Sequence, residues 1–361
     1  MIILEIRDLN IFSRAMIKNT KRLIYLFVIG ILSISCSTYK PFYAKSEKDW
    51  EKANNPDTLT LSYAVFLTGD AGNSELSPQE PTLKLLESQL YRIDTTISVS
   101  KKDTIVSKKS DPKDVIIFMG DNIYDHGLPS ADAVNREEKE TIILKQLDIV
   151  KDFKGKKIFV PGNHDWNNSK KGGLTTLQRQ EEFVEQYLNN GDTFIPSGGC
   201  PGPVELQLNN NFVIIVVDSE WWLHKHEKSA VADGCTAGTR EQLLSQIKSI
   251  VVRNRGKNIL FTQHHPLFSN GTHGGYFTLK DHLFPLTAIN KKLYIPLPVI
   301  GSLYPLLRQY GVSRQDLANK EYQLLKNSLL KILKDEKNLV FAAGHEHAHT
   351  TGFTHTGRST I

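Results

Sequence analysis

Five short segments of the chain carry side chains able to hold metal ions. They are Gly69-Asp70-Ala71-Gly72, Gly120-Asp121-Asn122-Ile123-Tyr124, Pro161-Gly162-Asn163-His164-Asp165, Gln263-His264-His265-Pro266 and Gly344-His345-Glu346-His347. Asp70, Asp121, Asn163, His264, His345 and His347 offer carboxylate, amide oxygen and imidazole, with no thiolate among them. That donor set suits iron, zinc or manganese. One carboxylate, such as Asp121, can bridge two cations ~3.5–4 Å apart, and paired cations activate water near neutral pH. The adjacent glycines let the chain turn sharply beside an ion. Asp and Asn also end strands for ordinary turn reasons, so any one segment alone is a weak signal. Five in succession are a strong one.

Each segment follows a short apolar, β-branched run: 59–67, 115–119, 157–160, 258–262 and 338–342. A sixth run, 212–217, ends at Asp218, with Trp221 and Trp222 beyond it as packing residues. Such nearly continuous runs read as strands buried on both faces. Helical patterns lie between them at 137–153, 177–188, 240–252 and 315–333. The alternation predicts an α/β fold, with the candidate ligands at the carboxyl ends of the strands, where α/β sheets bind ligands. Residues 95–111 read as a hairpin insert or a loose loop. Residues 267–312, rich in Gly, Pro and aromatics, read as a long excursion of the kind that supplies substrate walls.

The set GDAG, GDNIY, GNHD, HHP and GHEH resembles the calcineurin-like metallophosphoesterase superfamily, and within it most the purple (tartrate-resistant type) acid phosphatases. Two features carry the narrower likeness. Gly72 stands where many members have a metal-binding histidine, and Tyr124 stands where purple acid phosphatases have a tyrosinate. The resemblance implies a two-sheet α/β/β/α sandwich with the active site at the strand carboxyl ends. It implies two metal ions, Fe(III) with Fe(II), Zn(II) or Mn(II). Asp70, Asp121, Tyr124 and His347 would hold the first; Asp121, Asn163, His264 and His345 would hold the second, with Asp121 shared. The family's H-x-P pattern favours His264 over His265. His164 and His273 would face the substrate phosphate, His164 helping to protonate the leaving group, and Asp165 would orient His164. The implied reaction is hydrolysis of a phosphomonoester by hydroxide held between the cations. A phosphodiesterase or nucleotide hydrolase on the same site is the alternative. A non-catalytic surface lipoprotein that retains the fold is a second.

The amino-terminal region predicts export. Lys18, Lys21 and Arg22 precede the apolar run Leu23–Ile34, too short for a bilayer span of ~20 residues but suited to a signal peptide. Leu32-Ser33-Ile34-Ser35-Cys36 resembles a bacterial lipoprotein signal, apart from Ser33, with Met16 a more natural start than Met1. The expected organisation is a signal over 1–36, a tether over 37–58 and a metallophosphoesterase domain over 59–361. The last is expected to be shortened at its carboxyl end, because the superfamily adds strands beyond GHxH and this chain stops soon after His347. The expected location is the bacterial cell envelope, lipid-anchored or periplasmic, with membrane contact through the amino terminus. If Cys36 carries lipid, Cys200 and Cys235 remain, either as a disulfide, which an oxidising compartment allows, or as two separate buried residues. The net charge of +5, from 44 basic and 39 acidic residues, is too small to indicate nucleic acid. A small-molecule or protein phosphoester is the expected partner.

Overall fold

The strand β4 (Val115–Phe118) shows how the layers arise. Its four residues are all buried, and successive side chains of a strand point to opposite faces. Ile116 and Phe118 join a core with helices; Val115 and Ile117 join a second core with another sheet. A strand apolar on both faces must be covered on both, and that requirement builds the sandwich.

The computed structural model describes residues 63–73, 81–97, 104–290 and 292–346, with the backbone alone given over 92–97 and 104–109. The expected signal, the tether and His347 lie outside these residues. β1 (Val65–Thr68), β4 and β5 (Lys156–Phe159) form a parallel sheet in the order β1-β4-β5. The second sheet has the order β6-β7-β8-β9, comprising β6 (Val204–Asn209), β7 (Phe212–Val216), β8 (Asn258–Thr262) and β9 (Leu339–Ala342). Only its β6–β7 pair is antiparallel. The insert is a hairpin of β2 (Arg92–Ile97) and β3 (Thr104–Lys109).

Helices α1 (Pro81–Leu90), α2 (Arg136–Val150) and α3 (Gly173–Leu188) cover the first sheet through Leu83, Leu147, Leu177 and Val184. The short α4 (Ser219–Leu223) follows β7, and α5 (Arg240–Arg253) lies on the second sheet. The excursion contains α6 (Leu279–Leu283) and α7 (Leu303–Gln309), and α8 (Lys320–Leu333) completes the outer layer. Tyr322, Leu325, Leu329 and Leu333 give α8 its buried stripe, as helical periodicity requires. The four layers are therefore α/β/β/α, as the resemblance implied.

The helical pattern from 315 is corrected: α8 begins at Lys320. Asn319 is extended (φ −69°, ψ 141°) and its side chain accepts from the Glu321 amide, an N-cap that fixes the start there. Residues 313–318 are thereby left outside the helix. Cys200 and Cys235 form a disulfide, 35 residues apart in sequence. Among the described residues no helix is long and apolar enough to cross a membrane.

The disulfide closes a long loop and removes freedom from the unfolded chain. Cys235→Ser is expected to lower stability by roughly 2–4 kcal/mol. Urea denaturation of the variant, beside wild type with and without dithiothreitol, measures it; reductant should leave the variant's midpoint unchanged.

Candidate metal centre

The three turns that end β1, β4 and β9 share an uncommon backbone state. Asp70, Asp121 and His345 all lie in the left-handed region, with φ of 57°, 53° and 70°. A non-glycine residue there costs about 1–2 kcal/mol and persists only where surroundings impose it. Here the turns hold one another. The Asp70 amide donates to the Gly120 carbonyl at 3.0 Å, and the Gly72 amide to that of Asp121 at 3.0 Å. The His345 amide donates to both Asp70 carboxylate oxygens, at 3.1 and 2.9 Å. Close approach excludes side chains at two points. A Cβ on Gly162 would fall 2.3 Å from Asp121 Oδ1, and one on Gly120 2.4 Å from His264 Nδ1.

Within this frame the donor atoms converge. Asn163 Oδ1 lies 3.2 Å from His264 Nε2 and 3.0 Å from His345 Nδ1. The two ring nitrogens are 3.2 Å apart, and His264 Nε2 is 3.3 Å from Asp121 Oδ1. The far ring nitrogens fix which atoms face inward. His264 Nδ1 donates to the Met119 carbonyl at 2.8 Å, and His345 Nε2 to the Gln315 carbonyl at 3.0 Å. Two imidazole lone pairs and an amide oxygen therefore point into one buried space, a crowding of acceptors that a cation relieves. Ligating atoms of Asp70, Asp121 and His264 also lie within 4.8 Å of one another. The residues present fit a metal centre.

The electrostatics express the same need for positive charge. Burial disfavours ionised Asp121, yet His264 and His164 outweigh it and hold its carboxyl well below the usual range. Burial likewise disfavours the His264 cation, but Asp121 and Asp70 outweigh it and push the pKa up to about 10. His345 is driven well below its ordinary value by burial and by His273, His265 and His264. The Tyr124 hydroxyl donates to Asp70 Oδ1 at 3.0 Å. Burial, with Asp121 and Asp70 beside it, holds that phenol far above its ordinary pKa.

His265 also lies near this cluster, but both its nitrogens are engaged. Nδ1 is 2.7 Å from Ser219 Oγ and Nε2 is 2.6 Å from Gln315 Oε1. His264 is the histidine that faces Asp121. His164 and His273 line an adjoining cavity of about 320 Å³ together with Tyr124, Tyr304, Arg308 and Gln315.

The role expected of Asp165 is corrected. The His164 ring is set by the Asp125 carbonyl, 2.6 Å from Nδ1. The Asp165 carboxylate turns inward and accepts from the amides of Asn122, Ile123 and Gly162 at 3.0, 3.3 and 2.8 Å. It also accepts from the Asn122 and Gln180 side chains, at 3.1 and 2.7 Å. Burial and nearby Asp121 raise its pKa above the carboxylate range against those bonds. Asp165 thus clamps the turns that carry Asp121 and Asn163 to each other and to α3.

Sequence reasoning missed Gln315. Its carbonyl accepts from His345 Nε2 and from His273 Nδ1, each at 3.0 Å. Its side-chain amide donates to Ser169 Oγ and Glu220 Oε2, each at 2.8 Å. A carbonyl can serve two histidines only outside a helix, so the Asn319 cap was the signal that could have exposed it. Arg308 and Asp316 were also missed; Asp316 Oδ1 lies 3.1 Å from His273 Nδ1, and Arg308 Nε donates to Asp316 Oδ2 at 2.6 Å.

A family model described as calcineurin-like phosphoesterase matches residues 63–357. No curated protein matches the chain.

Asp165→Ala strips a shared acceptor from several buried donors and should cost at least about 3 kcal/mol. His164→Ala, at a partly exposed ring, should cost less than about 1 kcal/mol. Chemical denaturation of both variants separates a clamp from an orienting partner, since the latter role predicts similar, small losses.

Proposed function

The chain belongs to the calcineurin-like phosphoesterase family of metal-dependent phosphoester hydrolases, and from that premise we propose that it is an exported phosphomonoesterase of the purple acid phosphatase type. The observation that carries the reading is the convergence of Asn163 Oδ1, His264 Nε2 and His345 Nδ1 on one space beside Asp121. Asp121, Asn163, His264 and His345 would hold one cation. Asp70, Asp121, Tyr124 and His347 would hold the other. When bound, the two ions supply Lewis acidity: they acidify water and offset charge on phosphoryl oxygens.

The chain's own residues then bind and orient the ester. The Asp125 carbonyl sets the His164 tautomer, leaving Nε2 as the nitrogen at the cavity, 3.8 Å from Asp121 Oδ2. As the imidazolium, with a proton on Nε2 as well, His164 can from there give a hydrogen bond to a phosphoryl oxygen and that proton to the leaving oxygen. His273 is set by the Gln315 carbonyl and Asp316, which leaves its Nε2 unused by those bonds. Tyr304 and Arg308 bring the excursion into the same wall, where composition gave no substrate code.

Tyr124 supports the purple-phosphatase reading because its hydroxyl already touches Asp70. Export to the bacterial envelope, with lipid on Cys36, is supported by the amino-terminal signal pattern. It is supported independently by the Cys200–Cys235 disulfide, since such bonds persist in oxidising compartments.

Turnover of a phosphomonoester panel by wild type and Asp121→Asn, with metal content measured alongside, tests the proposal. Wild type should carry about two metals per chain, and Asp121→Asn should lose about 10²-fold or more in kcat/KM. Fewer than about one metal per wild-type chain with no turnover would overturn it. Hydrolysis of aryl diesters in preference to monoesters would replace it with the phosphodiesterase reading. The iron component predicts a visible charge-transfer band that disappears in Tyr124→Phe.

A further inference from the structure

The excursion is built inside out. Helix α7 carries Leu303, Leu307 and Tyr310 at its end on a spacing of four and three residues, the period of one helix face. These three side chains are exposed, Tyr310 to 82%. Tyr304 and Arg308, on the other side, reach the active-site cavity. An apolar stripe turned to solvent and a polar one turned inward reverse the usual order of a surface helix.

The loop before the helix continues the pattern. Ile289, Val299 and Ile300 are exposed to 80%, 87% and 72%. More than half of the exposed large hydrophobic side chains among the described residues lie between 289 and 312. The segment is nonetheless folded on itself. The Leu297 amide donates to the Leu283 carbonyl at 2.8 Å, and the Phe284 and Tyr294 rings meet edge to face at 5.7 Å. Concentrated exposed apolar surface marks an interaction site.

Charge identifies the occupant. Residues 282–315 contain no Asp or Glu, and Lys291 and Lys292 stand within the apolar stretch; Arg308 instead lines the cavity and pairs with Asp316, and Arg314 donates to the Leu223 carbonyl. Lys292 is exposed beside the apolar run 293–295. A second copy docking through the same face would set like charges against each other with no acid in the segment to answer them. Anionic lipid headgroups provide the complement, and acyl chains accept the apolar side chains. Tyr294 and Tyr310 add the amphipathic rings that favour a membrane–water boundary. We propose that residues 289–312 form a membrane-docking surface for an anionic lipid bilayer. It is separate from any amino-terminal anchor and does not depend on the phosphoesterase reading. Docked this way, one face of α7 rests on lipid while its other face walls the active site, so the site opens beside the headgroup layer.

Hydrogen exchange of the full chain, with and without vesicles of phosphatidylethanolamine containing phosphatidylglycerol, tests the proposal locally, whatever the amino terminus does. Peptides covering 289–312 should exchange at least about tenfold more slowly with these vesicles, and less so with pure phosphatidylcholine or at high salt. The double variant Leu303→Glu/Tyr310→Glu should keep phosphomonoester turnover and lose that protection, since both side chains are exposed and outside the site. Unchanged exchange over 289–312 while the amino-terminal peptides become protected would overturn the proposal. So would equal protection without vesicles in a chain that sediments as a dimer, which would assign the face to a second copy.

Discussion

The crowding of acceptors beneath Asp121 is the constraint on which the rest of the structure depends. An amide oxygen and two imidazole nitrogens lie within 3.2 Å of one another, next to a buried carboxylate. Left to themselves these groups repel, and burial removes the water that would screen them. Asp121 and His264 answer it as a pair, each favouring the other's charged form against burial. A metal ion would meet these donors with more charge and with directed bonds, so the geometry is suited to a metal centre.

Maintaining such a cluster requires a rigid frame, and the frame is mostly backbone. Parallel strands deliver their carboxyl ends to one edge, and left-handed residues turn the chain over the site at once. The His345 amide on the Asp70 carboxylate joins the end of one sheet to the end of the other. Asp165 fastens the two turns of the first sheet from below. Gln315 fastens His345 and His273 from the side, through a carbonyl that a helix would have consumed. Precision of this kind is what functional sites require of their supporting residues.

The excursion over 267–312 meets the site through a different balance. His273, Tyr304 and Arg308 enter the cavity from it, while its outward face is apolar. Its inner side chains are held by ion pairs and aromatic contacts such as Arg308–Asp316 and Phe277–Tyr304. The segment that helps to wall the cavity thus also carries much of the exposed apolar surface among the described residues.

Much of this was legible in the sequence. Strands buried on both faces announce themselves as short β-branched runs, and a metal site announces itself by donor chemistry next to glycine. Asp70, Asp121, Asn163, His264 and His345 were therefore readable, and so was a layered α/β fold, because both follow from local residue type and order. The cavity-lining His273 was reached only through the resemblance. Gln315, Asp316 and Arg308 were not readable, since ion pairs and side-chain hydrogen bonds across 8 to 146 residues of sequence leave no local pattern. Asp165 was readable as important but not in its role. The direction in which a turn points its carboxylate depends on what packs beneath it, and only the tertiary structure decides that.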